Sequence, residues 1–290
     1  MVLASLTQIS AAPVITHDPS ADSAACYTHL TAALTDDSPW VRAHAAEFLI
    51  TLGRPELARA AFEPISETKE PKYRVVVWRI LAAATSVASR RKIYTDRIRQ
   101  VLFDPSGVEQ PHAMEALAKL AEPFATDAEH QQVREVADAD GPASPFAVWR
   151  LSQSGDSTAV DRLIKLLRSS DAIIRSRAAY VLSRLQPLPA TANDAISTAI
   201  KVEPIDSPAY SLMQVALGPD SARKLVQDNH IPPAGRYFAA LSLAEFGTYH
   251  DHDLLLPLMR DSDHDVQIAA SFALLRLAGP TATLPTAGHL

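Results

Sequence analysis

One helix-forming word recurs along the chain, and it limits the possible folds more than any other feature. Trp40-Val-Arg-Ala-His-Ala-Ala-Glu-Phe-Leu-Ile-Thr-Leu-Gly53, Ile173-Ile-Arg-Ser-Arg-Ala-Ala-Tyr-Val-Leu-Ser-Arg-Leu185 and Asp265-Val-Gln-Ile-Ala-Ala-Ser-Phe-Ala-Leu-Leu-Arg-Leu277 share one order of residue types. Each sets a β-branched residue before Arg or Gln, then small residues, then Leu three positions before a final Leu. Two shorter pairs reinforce the repetition. His44-Ala-Ala-Glu47-Phe-Leu matches His112-Ala-Met-Glu115-Ala-Leu at a spacing of 68, and Val77-Trp78-Arg79-Ile80 matches Val148-Trp149-Arg150-Leu151 at a spacing of 71. A unit of this length cannot bury its apolar face alone, so stacking of neighbours has to supply the core.

Upstream of each word lies a second amphipathic segment: 24–34, 55–66, 92–103, 128–137, 158–167, 191–200, 221–226 and 252–259. The second segments fall at 39–53, 72–86, 110–121, 144–154, 171–186, 207–217, 233–246 and 264–278. Pro or Asp marks most junctions, as at Pro39, Pro71, Pro111, Pro145, Pro208, Pro233 and Asp265. Proline in the first turn of a helix sacrifices no hydrogen bond, so 21 prolines suit an all-helical chain. Only 9 glycines and 6% aromatic residues argue against a strand-rich fold. The expectation is eight helical hairpins of about 32 to 38 residues each, over residues 23–279. Residues 1–22 read as a leader or N-terminal cap, with Leu3, Leu6 and Ile9 packing on the first hairpin. As a signal segment they lack a basic residue ahead of the apolar stretch, and Thr7, Gln8 and Ser10 interrupt it. Residues 280–290 carry no periodicity and read as a flexible tail or linker.

The words resemble HEAT repeats. Asp36…Val41-Arg42…Ala45-Ala46…Leu49…Leu52-Gly53 fits the family pattern fully. Asp261…Val266-Gln267…Ala269-Ala270…Leu274…Leu277 fits with Gln in place of Arg, and Ile174-Arg175…Ala178-Ala179…Leu182…Leu185 has Ser169 in place of the Asp. The resemblance implies an all-α fold, a right-handed α-solenoid (an α–α superhelix) of about eight hairpins, with each second helix on the concave side. The paired alanines allow neighbouring helices to pack near the short end of the usual range of about 8–10 Å. The resemblance also assigns Arg42, Arg74, Arg175 and Arg236 a structural role at the turns.

Nine residues are candidates for a concave binding face: His44, Glu47, Trp78, Arg79, His112, Glu115, Trp149, Arg150 and Arg177. His-x-x-Glu spacing puts an imidazole and a carboxylate on one helix face. HEAT-fold hydroxylases hold iron with adjacent His-Glu dipeptides, and this chain has none. Two repeats apart, the two His-x-x-Glu sites are expected about 20 Å from each other in an open array, too far to share one ion. The Trp-Arg dipeptides are expected to share one orientation and to form a ladder with the His-x-x-Glu pairs, Trp and Arg being common interface anchors. Tryptophan at these positions also suits the core between repeats. Tyr249-His-Asp-His-Asp253 and Asp261-Ser-Asp-His-Asp265 look like a metal cluster in one dimension, but an intervening helix of about 10 Å parts them. Cys26, the one cysteine, excludes an internal disulfide and reads as buried and inert. No Gly-x-Ser-x-Gly, Gly-rich phosphate loop or zincin motif occurs.

A net charge of −6 disfavours nucleic acid and anionic membranes as partners, and no run of 18 apolar residues could span a bilayer. The second helices nevertheless carry a small excess of Lys and Arg, which suits an acidic peptide or a mixed protein surface. The sequence thus leads to a non-catalytic protein–protein interaction scaffold, with no cofactor, metal or catalytic residue assigned. Such arrays also occur as accessory domains of larger proteins. The alternative is a HEAT-fold enzyme with a metal or DNA-repair site in the concave groove, although that reading wants a more basic cleft. Oligomeric state has no signature; for the compartment the cytoplasm is slightly favoured, with export if residues 1–22 act as a signal segment.

Overall fold

Junction residues of the sequence become helix starts in the computed structural model, which describes residues 19–228 and 230–279. Among these residues there are sixteen helices and no strand. In hairpin order they are α1 (Pro19–Ala32) and α2 (Pro39–Thr51), α3 (Pro55–Phe62) and α4 (Tyr73–Ala83), α5 (Ala88–Leu102) and α6 (Gln110–Lys119), and α7 (Asp127–Asp138) and α8 (Ser144–Gln153). The second half comprises α9 (Ala159–Leu166) and α10 (Ala172–Arg184), α11 (Ala190–Ile200) and α12 (Pro208–Ala216), α13 (Pro219–Gln227) and α14 (Pro233–Phe246), and α15 (His252–Leu255) and α16 (His264–Leu277). A 3-10 turn over Leu256–Arg260 prolongs α15. The largest shift from the sequence-based spans is at α1, which begins at Pro19 inside the expected leader. The proposed cap of Leu3, Leu6 and Ile9 and the tail at 280–290 lie outside the described residues.

Local chemistry accounts for the helix ends. Ser38, Thr126, Asp171, Ser207 and Asp263 each accept a hydrogen bond from a first-turn N–H with their side chains. Pro39, Pro208 and Pro233 occupy first helical positions, where no N–H is needed. Gly53 follows α2 at φ 78°, a conformation that a β-carbon would strain. Three of the turn arginines behave alike: Arg42 Nη1 donates to the Asp36 carbonyl at 2.7 Å, Arg175 Nη1 to the Ser169 carbonyl at 2.9 Å and Arg236 Nη1 to the Ile231 carbonyl at 2.6 Å, whereas Arg74 pairs with the Glu109 carboxylate. Gln267 takes over this task in the last hairpin, donating to the Asp261 carbonyl at 2.6 Å.

The even-numbered helices form an inner layer in which each packs on the next, from α2 through α16. They run parallel. Their starts are tied by Arg175–Glu203 at 2.7 Å and Arg236–Asp261 at 2.7 Å. Near their ends, Gln153 donates to the Ala118 carbonyl at 2.8 Å and Gln186 to that of Ala216 at 2.6 Å. The array then closes on itself, because α16 packs against both α1 and α2. Phe48 and Phe272 stack across this seam with ring centroids 4.5 Å apart, and Cys26 Sγ meets Met259 Sδ at 3.7 Å. An open superhelix would leave the first and last hairpins apart, so the expected solenoid is replaced here by a ring.

Side-chain size sets how closely the inner helices approach. Ala45, Ala46, Ala178, Ala179, Ala239, Ala240, Ala269 and Ala270 are fully buried on α2, α10, α14 and α16, so at these helices the inner layer is narrow and the hairpin is wedge-shaped. Gly235 extends this, since a β-carbon there would collide with Ile231 and Ser211 as α14 crosses α12. Ala178→Leu or Ala240→Leu should therefore lower stability by about 1–3 kcal/mol through overpacking. Chemical denaturation compared with the parent checks this, and unchanged midpoints for both would show that these faces do not carry the wedge.

Candidate functional site

Ring closure brings all eight inner helices around one axial cavity of about 730 Å3. Of the nine candidate residues, His44, Glu47, Arg79, Glu115, Trp149 and Arg177 line it. Each sits on the inward phase of its helix, which the spacing of three or four residues repeats: His44, Glu47, Phe48 and Thr51 on α2, and Ser176, Arg177, Tyr180 and Arg184 on α10.

Four charged side chains converge at one side of the cavity. Arg79, with 9% of its side chain exposed, pairs with Glu47 and lies 4.0 Å from Glu115. Lys119 Nζ lies 3.0 Å from Glu115 and 3.7 Å from Glu47. The two glutamates are therefore neighbours across a shared ammonium, not sites about 20 Å apart. The open-array spacing fails because side chains pointing at the axis of a ring approach one another. Around the rest of the wall, His44 lies tilted against Tyr237 with centroids 5.1 Å apart, Tyr237 meets Phe238 at 5.1 Å, and Lys119 lies over the Tyr180 ring at 5.8 Å.

The Trp-Arg words do not share an orientation. Arg79 and Trp149 face the cavity, whereas Trp78 and Arg150 turn outward. A spacing of 71 offsets the two words by one residue relative to the inward phase, and one residue turns a helix face by about 100°. Trp78 fills the layer between inner and outer helices, donating from Nε1 to the Ser66 carbonyl at 2.9 Å, with the Arg74 and Arg97 guanidiniums over its ring. Arg150 is paired with Glu129 at 2.8 Å, each side chain 1% exposed, and Glu129 is shared with Arg99 at 3.2 Å. Burial pulls the Arg150 guanidinium down to about 10. His112 is half-buried outside the cavity wall, and burial lowers its basicity. Three of the nine candidates therefore do not belong to the cavity.

Sequence reasoning missed Lys119, Tyr180, Tyr237, Phe48, Phe272 and Arg276 on the wall. Lys119 could have been found as the i+4 partner of Glu115. The aromatic residues had no signal apart from helix phase. The His/Asp-rich segment disperses into separate contacts: Asp251 pairs with Arg223, Asp261 with Arg236, His264 with Asp36, and Asp265 with His44. Among the described residues, no group of three or more His, Cys, Asp or Glu could hold a metal ion. Cys26 is buried, and burial, with Asp22 nearby, pushes its thiol up to about 12.

Burial alone would raise both cavity carboxylates. Lys119 and Arg79 outweigh it at Glu115, which is held at about 2, and Arg79 with Lys119 holds Glu47 below its ordinary range. Burial and Arg79 oppose the Lys119 charge, and the two glutamates still raise it. The cluster is thus a fixed set of two anions and two cations: it accepts and donates hydrogen bonds but has no carboxyl proton to give. Arg184 is neutralised by Glu245 at 2.8 Å. Among the described residues, Arg177 and Arg276 have no carboxylate within ion-pair distance; Arg177 donates to the Pro142 carbonyl at 2.7 Å and covers the Phe146 ring.

No family model matches the chain, and no curated protein matches its sequence. Among solved structures it is similar to three engineered proteins whose crystal structures were determined by the Northeast Structural Genomics Consortium. One is 17% identical, with 90% of this chain and 85% of that chain covered and a TM-score of 0.30. The second is 15% identical over 87% and 98% with a TM-score of 0.24, and the third is 20% identical over 87% and 96% with a TM-score of 0.22.

A carboxylate depressed in the fold stabilises it above the ordinary value and loses that contribution as pH falls toward the folded value. For Glu115 the window runs from 4.5 down to about 2. Glu115→Gln should be less stable at neutral pH and should flatten the loss of stability across that acid range, as read by denaturant unfolding at a series of pH values. Arg150→Ala should cost about 3 kcal/mol by leaving Glu129 buried with a weaker partner set. A melting experiment separates that loss from any effect at the cavity.

Proposed function

We propose that this chain is a non-catalytic binding module, built of HEAT-like hairpins wound into a ring, that receives an acidic segment of a partner protein in its axial cavity. The reading rests on one observation above others: two guanidiniums that line the cavity, Arg177 and Arg276, lack carboxylate partners among the described residues, while the four-charge cluster on the same wall is already balanced. An incoming carboxylate would complete what the wall leaves unpaired. The aromatic wall adds apolar area around it, and a volume of about 730 Å3 lies within the range of about 300–1,000 Å3 usual for ligand pockets. A closed wall excludes a partner draped along a concave groove, so the partner has to present a projecting end or loop. The enzyme alternative gains little from the site, because both cavity carboxylates are held ionised and neither is poised as a proton donor.

The test uses Trp149, which lines the cavity, as a fluorescent reporter. A short Asp/Glu-rich peptide with one aromatic residue should change its emission, and a Lys-rich peptide of equal length should not. Arg177→Ala and Arg276→Ala together should weaken acidic-peptide binding by about 2 kcal/mol or more in a chain that still unfolds cooperatively, and melting of the Arg276→Ala single variant separates binding from the loss of the Arg177 contacts to Pro142 and Phe146. Equal binding of both peptides, or unchanged affinity in the double variant, would overturn the proposal.

A further inference from the structure

The inner helices run parallel, so each residue on the cavity wall has a height along the axis given by its place in its helix. Contacts fix the helices against one another. The third turns of α16, α2, α6 and α10 are level, because Phe272 stacks on Phe48, while Lys119 lies 3.7 Å from Glu47 and over the Tyr180 ring. Arg276 lies one turn higher, in the last turn of α16, as Arg184 does in α10. Arg177 lies lower, in the second turn of α10 and seven residues before Arg184. At about 1.5 Å of rise per residue, the two arginines that lack carboxylate partners are carried at heights about 10 Å apart. The Arg177 side chain leans further toward the helix starts, donating to the Pro142 carbonyl ahead of α8 at 2.7 Å.

Charge balance on the wall changes with height. Between the two levels, Glu47, Arg79, Glu115 and Lys119 cancel one another. Side chains also reach past intervening helices here: Lys119 meets the Tyr180 ring although α8 separates α6 from α10, and Tyr180 meets Phe238 at 6.4 Å although α12 separates α10 from α14. The cavity therefore has a narrow, aromatic and charge-balanced waist. Toward the helix ends, Arg184 and Glu245 cancel at 2.8 Å and Arg276 is left over. Toward the helix starts, the guanidinium left over is Arg177. Among the Asp, Glu, Lys and Arg side chains of the wall, one excess cation thus stands on each side of the waist and none within it.

We propose that the acidic segment received by this cavity is bipartite: two carboxylates about three positions apart, one for Arg177 and one for Arg276, joined by apolar residues that pass the waist. This rests on the reading of the cavity as an acidic-segment site and specifies its partner. A single carboxylate, or an adjacent pair, reaches one guanidinium and leaves the other without an anion. An extended chain advances about 3.3 Å per residue, so acids three positions apart match the difference in height. Main-chain groups of such a segment also have partners at hand, because Tyr180 and Tyr237 line the cavity and neither hydroxyl makes a hydrogen bond among the described residues. A plain aliphatic diacid would leave both hydroxyls without one.

The decisive measurement is calorimetric titration of the full chain with end-blocked peptides of one composition, two glutamates and two leucines between glycine flanks. In one order the glutamates are adjacent; in the other the leucines separate them. The separated order should bind about tenfold more tightly, the worth of one further charge-assisted contact. Arg276→Ala alters an exposed side chain and should erase the difference between the two orders, whereas Arg276→Lys should keep most of it. Equal affinity of the two orders, or an undiminished preference in Arg276→Ala, would overturn the spacing and leave the cavity reading standing. Binding of neither order would sink both. A linear dicarboxylic acid of the same span that binds as tightly as the separated peptide would overturn the assignment to a protein segment.

Discussion

The packing of α16 against α1 and α2 is the constraint on which the rest of the structure depends. An open row of hairpins has two exposed ends and a concave surface that faces water. Once Phe272 stacks on Phe48, the ends are buried and the concave surface becomes the wall of a cavity. Every statement about the candidate site inherits this. Glu47 and Glu115 share Lys119 because their parallel helices turn these side chains toward one axis. The seam is also the joint with the greatest sequence separation, Asp36 to His264, so its contacts form against a large loop-closure entropy.

The interior charges are a second consequence of closure. An exposed ion pair on an open surface contributes little, and a buried one must offset a large desolvation penalty. The cavity cluster sits between these limits, with Arg79 almost wholly buried and the two glutamates and Lys119 partly exposed. Its two anions and two cations cancel, which lets four charges coexist around one axis. Arg150, Glu129 and Arg99 do the equivalent work between the layers. The two Trp-Arg words therefore hold opposite assignments: one sends its arginine to the axis, the other to the outer layer.

Much of the fold was legible in the sequence because helix type and hairpin pairing are set locally. Caps such as Ser38 and Asp263, first-turn prolines and paired alanines all act within a few residues, and the stretch from Ser38 to Gly53 contains one of each. Gln267 could stand in for Arg because the task is one hydrogen bond to a carbonyl. Closure was not legible. The same words build an open or a closed array, and the difference lies in how far each wedge turns on its neighbour, a property summed over every joint. The orientation of Trp78 and Arg150 was missed for a related reason: a repeated word fixes a face only if the insertions between copies preserve helical phase. Glu47, Arg79 and Glu115 were recognised as inward-facing, but their mutual contact required the curvature.

Closure also changes what variation the chain can accept. In an open stack, a hairpin can be gained or lost at little expense to its neighbours, since each touches only two others and the ends are free. A ring has no free end. Removing one wedge leaves a gap at the seam unless every remaining joint turns further, and adding one forces every joint to turn less, against side chains such as Ala240 and Gly235 that are already in close contact. The number of hairpins is thus a collective property of the alanine-lined crossings. Descendants of such a chain would be expected to vary in loop length and surface chemistry while keeping eight wedges, because the geometry of the circle counts them.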